Sequence, residues 1–170
     1  VIEDAGGGIP VRLPDGVERD RLTRGRSVRV SGVIAAPYAN QEIRPARAAD
    51  VVIEGDGPPL TPVDRLGSEL GETTEGTLAR IVATIERVDA SGSGSITIIA
   101  EDATGEIRVH LHAGSGVSRE RLKPGLRLSA TGIIGQRDAG GTGTAGYRLH
   151  LRTPVDVAPL ATPTPTVTPT

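Results

Sequence analysis

The chain has 170 residues, a formal net charge of -2 and 36% apolar residues. That length suits one large domain or two small ones, and the charge excludes a globally basic protein built for nucleic acid or anionic lipid. Cys is absent, which excludes a disulfide framework, a thiolate zinc site and a thiol nucleophile; no apolar run nears the roughly 18 residues of a membrane span, so no membrane insertion is expected.

Phe, Trp and Met are also missing, and Tyr38 and Tyr147 are the only aromatics, so any core is built from Val, Ile, Leu and Ala. Beginning at Val1 rather than Met, the chain reads as a piece of a longer polypeptide. Every basic residue but Lys123 is Arg, a bias that suits phosphate contacts and equally a GC-rich genome. Residues 76–160 hold ten basic against eight acidic residues and all three histidines, so the mildly basic part is the second half.

Residues 1–57 open with EDAGGGIPVRL (3–13), continue through GVERDRLTRG (16–25) and VRVSGVI (28–34), and end on an Ile43 and Asp50-Val51 stretch. The same series returns downstream as EDATGEIRVHL (101–111), GVSRERLKPG (116–125), LSATGII (128–134), Leu149 and Asp156-Val157. One supersecondary unit used twice implies a tandem duplication. Between the copies, residues 58–75 form a linker whose prolines favour extended chain and whose VDRLGSEL allows one helical turn.

In the second copy, period-2 alternation predicts strands near 77–88, 95–101, 105–112, 126–136 and 146–157. SRERL (118–122) is long enough for about one helical turn, ATG (103–105) is a tight turn, and RDAGGTGTAG (137–146) reads as a flexible hairpin loop. Five strands with a helical turn between the third and fourth is the order of an OB-fold barrel, and closing the sheet removes its exposed edges. The expected fold is therefore all-β: two tandem five-stranded OB-like barrels, a partial one at 1–57 and a complete one at 76–160. The first has nothing ahead of Val1 to serve as its opening strand, so it should be the less stable half or take that pairing from elsewhere. The Thr/Pro repeat at 161–170 reads as an extended linker or stalk, a segment that suits secreted or surface-displayed proteins.

The series EDATGEIRV (101–109), a short helical turn, then KPGLRLSATGII (123–134) resembles the OB-fold accessory modules of secreted bacterial nucleases and of surface proteins carrying lamin-tail domains. The resemblance covers 1–57 and 76–160. It implies a non-catalytic, extracellular accessory module whose partners include neighbouring domains of the same polypeptide. No residue here matches the nuclease catalytic motif, and the scarcity of aromatics departs from a base-stacking surface.

Several motifs fit chemistry less well than structure. Glu101-Asp102 and Glu3-Asp4 place adjacent carboxylates on opposite strand faces, and Asp before a turn bonds its own backbone, so a turn is expected rather than an acid/base pair. GTGTAG (141–146) satisfies the dinucleotide fingerprint in letters only, because the strand-like YRLHLR follows where a helix is required. No catalytic residue and no cofactor is expected.

The richest set is HLH (110–112) with YRLHLR (147–152). If Ile107, Val109, Leu111, Leu149 and Leu151 face the core, then Arg108, His110, His112, Arg148, His150 and Arg152 share the outer face of the neighbouring third and fifth strands. Such a face can be a solvated polar surface, a zinc site or a phosphate contact. Three arginines oppose a cation, and no carboxylate in these strands backs a metal-bound histidine. Lys123 and Arg127 add charge near the helical turn. Tyr147 either stacks on bases or turns inward as core, so affinity for single-stranded DNA or RNA should rest on Arg–phosphate contacts and fall with salt. The competing expectation is a structural spacer or protein-docking module without a ligand of its own.

Overall fold

The computed structural model describes residues 1–161; the Thr/Pro repeat expected to form a linker lies, but for its first residue, outside the described residues. Regular structure among them is β-strand and single 3-10 turns, with no α-helix. In the first third of the chain come β1 (Ile2–Asp4), β2 (Gly7–Ile9), β3 (Arg26–Val30), β4 (Val33–Ala35), β5 (Glu42–Arg44) and β6 (Val51–Asp56). The linker contributes β7 (Val63–Asp64). Then follow β8 (Leu78–Ala90), β9 (Ile96–Asp102), β10 (Gly105–Leu111), β11 (Arg127–Gln136), β12 (Tyr147–Leu151) and β13 (Val157–Pro159).

Strands β8 to β12 close a barrel. The order runs β11-β12-β10-β9-β8, and β11 returns to β8 to complete the ring. All neighbours are antiparallel except β10 and β12, which run parallel. With the 3-10 turn Arg119–Arg121 between β10 and β11, this is the five-stranded OB-fold. Alternation explains the core: Ile81, Ile85, Ile98, Ile107, Val109, Leu111, Leu128, Ile134 and Leu149 are fully buried, while the residues between them point outward. Aliphatic side chains alone fill the interior, as the absence of Phe, Trp and Met requires.

The fifth strand departs from the continuous 146–157 expected. Pro154 brings a main chain without N–H, and the Asp156 carboxylate takes the N–H groups of Arg152 and Thr153, both at 2.9 Å. The chain bends through the 3-10 turn Pro154–Asp156 and returns as β13 against the start of β11. The linker is less extended than its prolines suggest. β7 adds to β8 in parallel, and the following 3-10 turn Gly67–Glu69 is tied to the β9–β10 turn through Gly67 N–H to Asp102 Oδ2 at 2.7 Å. Asp102 also accepts the Thr104 N–H at 2.7 Å, so it is a turn residue, as expected.

A second closed barrel is not present. Residues 1–57 form three separate two-stranded pieces, β1–β2, β3–β6 and β4–β5, joined by a parallel bridge between Val11 and Ile43. No Val, Ile or Leu ahead of Leu78 is fully buried. Residues 1–57 contain no counterpart of β8, the strand on which the barrel closes. These pieces rest against the barrel: Leu78 N–H donates to Glu3 Oε2 at 3.2 Å, and Gly8 approaches Gly76 so closely that a methyl on either would overlap the other's main chain.

Candidate functional site

The parallel β10–β12 ladder sets the site. It pairs Val109 with Leu149, His110 with His150 and Leu111 with Leu151. The apolar pairs point into the core, so His110 and His150 face outward together, with ring centroids 5.4 Å apart in an edge-to-face arrangement. His150 lies over Gly135 of β11, where a side chain would crowd the imidazole. That shelter, with His110 and Arg148 close by, pushes the His150 pKa down to about 4, burial being the larger cause. Burial first, then the positive charge of Arg148, holds His110 below its ordinary value as well. Both imidazoles are neutral at pH 7.

Arg148 is half-buried beside them. Burial, then the charges of Arg137 and Arg108, makes its guanidinium easier to deprotonate than usual, the mark of an uncompensated cationic cluster. Its Nε and Nη2 donate to the carbonyls of Gly146 and Arg137, at 3.3 and 3.4 Å. Among the described residues no salt bridge involves Arg137 or Arg148. Arg108 is exposed and pairs with Glu106 on its own strand at 3.1 Å.

The structure brings Arg108, His110, Arg148 and His150 together and places His112 at their edge. His112 Nδ1 there accepts the Gly114 N–H at 3.2 Å, ending β10. Arg152 leaves the face: its guanidinium meets the Asp156 carboxylate at 2.9 Å, locking the bend after β12. Arg127 lies six residues before Ile133, the β11 partner of His150, or about 20 Å along the strand at roughly 3.3 Å per residue. Lys123 is exposed beyond β11, beside the 3-10 turn. Neither belongs to the cluster. Tyr147 turns to the inward side, and its hydroxyl donates to Glu72 at 2.9 Å and to the Gly143 carbonyl at 3.0 Å. Burial and then the Glu72 carboxylate push its pKa up to about 12. A ring fixed this way is not a platform for bases.

Two further residues complete the face, Arg137, which sequence reasoning passed over, and Tyr38. Arg137 follows the outward alternation of Ile133 and Gly135 past the end of β11, a signal that alternation alone could have carried. Its guanidinium sits 5.5 Å from the centre of the Tyr38 ring, a cation–π contact. Tyr38 is 63% exposed and comes from the first third of the chain, held there by its carbonyl accepting the Asp138 N–H at 3.1 Å. Among the described residues no group of three His, Cys, Asp or Glu is placed to hold a metal ion.

The loop after β11, expected to be flexible, is organised by one carboxylate. Asp138 accepts the N–H groups of Gly140, Thr142 and Gly143 at 2.8, 2.7 and 2.9 Å. Hydrogen bonding, led by the Thr142 hydroxyl, holds its pKa below the usual carboxylate range.

No family model and no curated protein matches this chain. Among solved structures it is similar to an aspartyl-tRNA synthetase from Entamoeba histolytica, at 12% identity and a TM-score of 0.46, over 64% of this chain and 23% of that one. It is similar to an asparaginyl-tRNA synthetase from Pyrococcus horikoshii complexed with asparaginyl-adenylate, at 14% identity and 0.46, over 60% and 23%. An OBody bound to hen egg-white lysozyme aligns at 12% and 0.45, over 61% of this chain and 97% of that one. The chain thus corresponds to under a quarter of each synthetase. The barrel's own connectivity defines the class: an OB-fold protein with a cationic outer face.

Proposed function

We propose that this chain is a non-catalytic accessory module of a larger secreted or surface protein, with weak affinity for nucleic acid through the β10–β12 outer face. One observation carries the reading: Arg137 and Arg148 lie side by side without a carboxylate partner, next to an exposed aromatic ring. Neutral histidines supply hydrogen bonds there, and the arginines supply charge. Phosphate oxygens satisfy both arginines in a way that surface water does not, and Tyr38 offers one stacking surface. The Thr/Pro repeat and the resemblance to accessory modules of secreted nucleases support the extracellular role.

The test is fluorescence anisotropy of the full chain with labelled single-stranded DNA, duplex DNA and RNA. Two phosphate-contacting arginines give a log–log salt slope of about -1.4 for single strands, so affinity falls roughly 25-fold between about 20 and about 200 mM salt. The double variant Arg137→Ala/Arg148→Ala should abolish that binding. Absence of binding at low salt would overturn the reading in favour of a structural spacer or a docking module.

A further inference from the structure

The barrel mouth beside the start of β12 gathers acceptor oxygens that no donor among the described residues meets. The 3-10 turn Glu72–Thr74 there is fixed by the buried Thr74, whose Oγ1 accepts the Gly71 N–H at 3.1 Å and donates to the Glu69 carbonyl at 2.7 Å. It sets Glu72 at its start and Glu75 just past its end. Beside it stands Gln136, paired with Tyr147 across the β11–β12 ladder. Cross-strand partners put their side chains on one face, with Cβ atoms about 5 Å apart. The Tyr147 hydroxyl in turn donates to Glu72 Oε2 at 2.9 Å. On the edge of β11, the main-chain N–H of Gln136 points at the Glu75 carboxylate, and its carbonyl accepts from Asn40 Nδ2 at 3.3 Å. Asn40, Glu72 and Glu75 also line one cavity.

Gln136 is 3% exposed, and its amide orientation is fixed because Nε2 donates to the Ala145 carbonyl at 2.9 Å. Its Oε1 is left as a buried acceptor without a partner, and Asn40 Oδ1 and Glu75 Oε1 are in the same state. Orphaned buried acceptors are costly, and here three surround a pair of carboxylates. Among the described residues neither Glu72 nor Glu75 forms a salt bridge. Burial, then the Glu72 carboxylate, pushes the Glu75 pKa up, as expected of acids without counter-charge. What this set lacks is a positive charge. Donors that are all oxygen select a hard cation, and mixed carboxylate and amide ligation, with water in the remaining positions, suits Ca2+ better than the strict octahedron of Mg2+.

We propose that Glu72, Glu75, Gln136 and Asn40 form a Ca2+ site that ties the turn before β8 and the segment around Tyr38 to the barrel mouth. The two carboxylates balance the charge of the ion, and the amide oxygens of Gln136 and Asn40 gain the partner they lack. The donors come from three separate stretches of chain, so the ion acts as a cross-link and stabilises the fold. Two acidic ligands rather than three keep the affinity in the range of extracellular calcium modules, a Kd of about 0.1–1 mM. The site is separate from the outer arginine face, so its test does not depend on nucleic-acid binding.

The experiment uses the full chain, stripped of metal with a chelator, and Ca2+ alone as the probe at constant ionic strength. Calorimetric titration should show one saturable site per chain, and about 10 mM Ca2+ should raise Tm by several degrees. Glu75→Gln keeps the shape and removes a ligand charge, so it should bind about tenfold more weakly or worse and lose the rise in Tm. Glu72→Gln, at an exposed residue, should do the same and keeps the comparison open if Glu75→Gln fails to fold. Tb3+ in place of Ca2+ reports the geometry. Its emission excited through tyrosine should appear, be displaced by Ca2+, and fall several-fold in Tyr147→Phe. No saturable binding and no rise in Tm for the wild type would overturn the proposal and assign the orphaned oxygens to water or to a proton on Glu75. An equal rise in both Gln variants would also overturn it, placing the ion on other carboxylates.

Discussion

His110 and His150 stand directly opposite each other across the parallel β10–β12 ladder, their rings edge to face. The consequence is a pH dependence of stability. The folded pKa of His150 lies at about 4, below the ordinary 6.5, so the unfolded chain takes up the proton first as pH falls. Stability is then fully present above about pH 6.5 and is lost as pH drops toward 4. The displacement corresponds to on the order of 3 kcal/mol. Tm measured from pH 7.5 to 4 should fall, and His150→Gln should flatten that fall. Equal slopes in the two proteins would show that the imidazole is not the cause.

Much of this was legible because period-2 alternation is a local signal. Ile107, Val109 and Leu111 faced the core as their spacing required, and His110 met His150 because third and fifth strands adjoin in this barrel. What escaped depended on contacts between distant segments. Nothing local to Tyr38 says that it meets Arg137, and Arg152 reads as an outward cation until Asp156 is seen to hold it. The repeated motifs showed one unit used twice. They did not show that residues 1–57 divide into three two-stranded pieces.

Asp138 organises the loop between β11 and β12, so Asp138→Ala should release it. Three main-chain N–H groups lose their acceptor at once. Amide exchange at Gly140, Thr142 and Gly143 should rise by about tenfold or more while the barrel amides keep their protection. In the wild type the same release should occur in acid. A carboxylate with a depressed pKa contributes above its unfolded value of about 3.9 and is lost as pH falls through the folded one. Unchanged exchange in the variant would assign the loop's order to its glycines alone.

Ile34 and Ile134 occupy matching register positions, yet Ile34 is 60% exposed and Ile134 is 0% exposed. Ile134→Ala removes atoms from a packed interior and should cost about 2–5 kcal/mol. Ile34→Ala removes surface atoms and should stay within roughly 0.5 kcal/mol. Denaturant melts of the two variants give the comparison directly. Comparable losses would mean that residues 1–57 pack in solution as tightly as the barrel does.

Arg148 and Arg152 lie only four residues apart, and their partners separate them. Arg152 is held by the buried Asp156 carboxylate, and Arg152→Ala leaves that charge with its main-chain donors and the Thr153 hydroxyl. A loss of about 1–3 kcal/mol should follow, with little change in nucleic-acid affinity. Arg148 instead faces Arg108 and Arg137, which disfavour its charge. Arg148→Ala should therefore leave Tm unchanged or slightly raised while weakening single-strand binding and lowering the salt slope by about 0.7. The two variants, melted and titrated in parallel, distinguish a binding arginine from a structural one. If Arg152→Ala weakened binding as much as Arg148→Ala at equal stability, the contact surface would extend past the bend and the face would have to be redrawn around it.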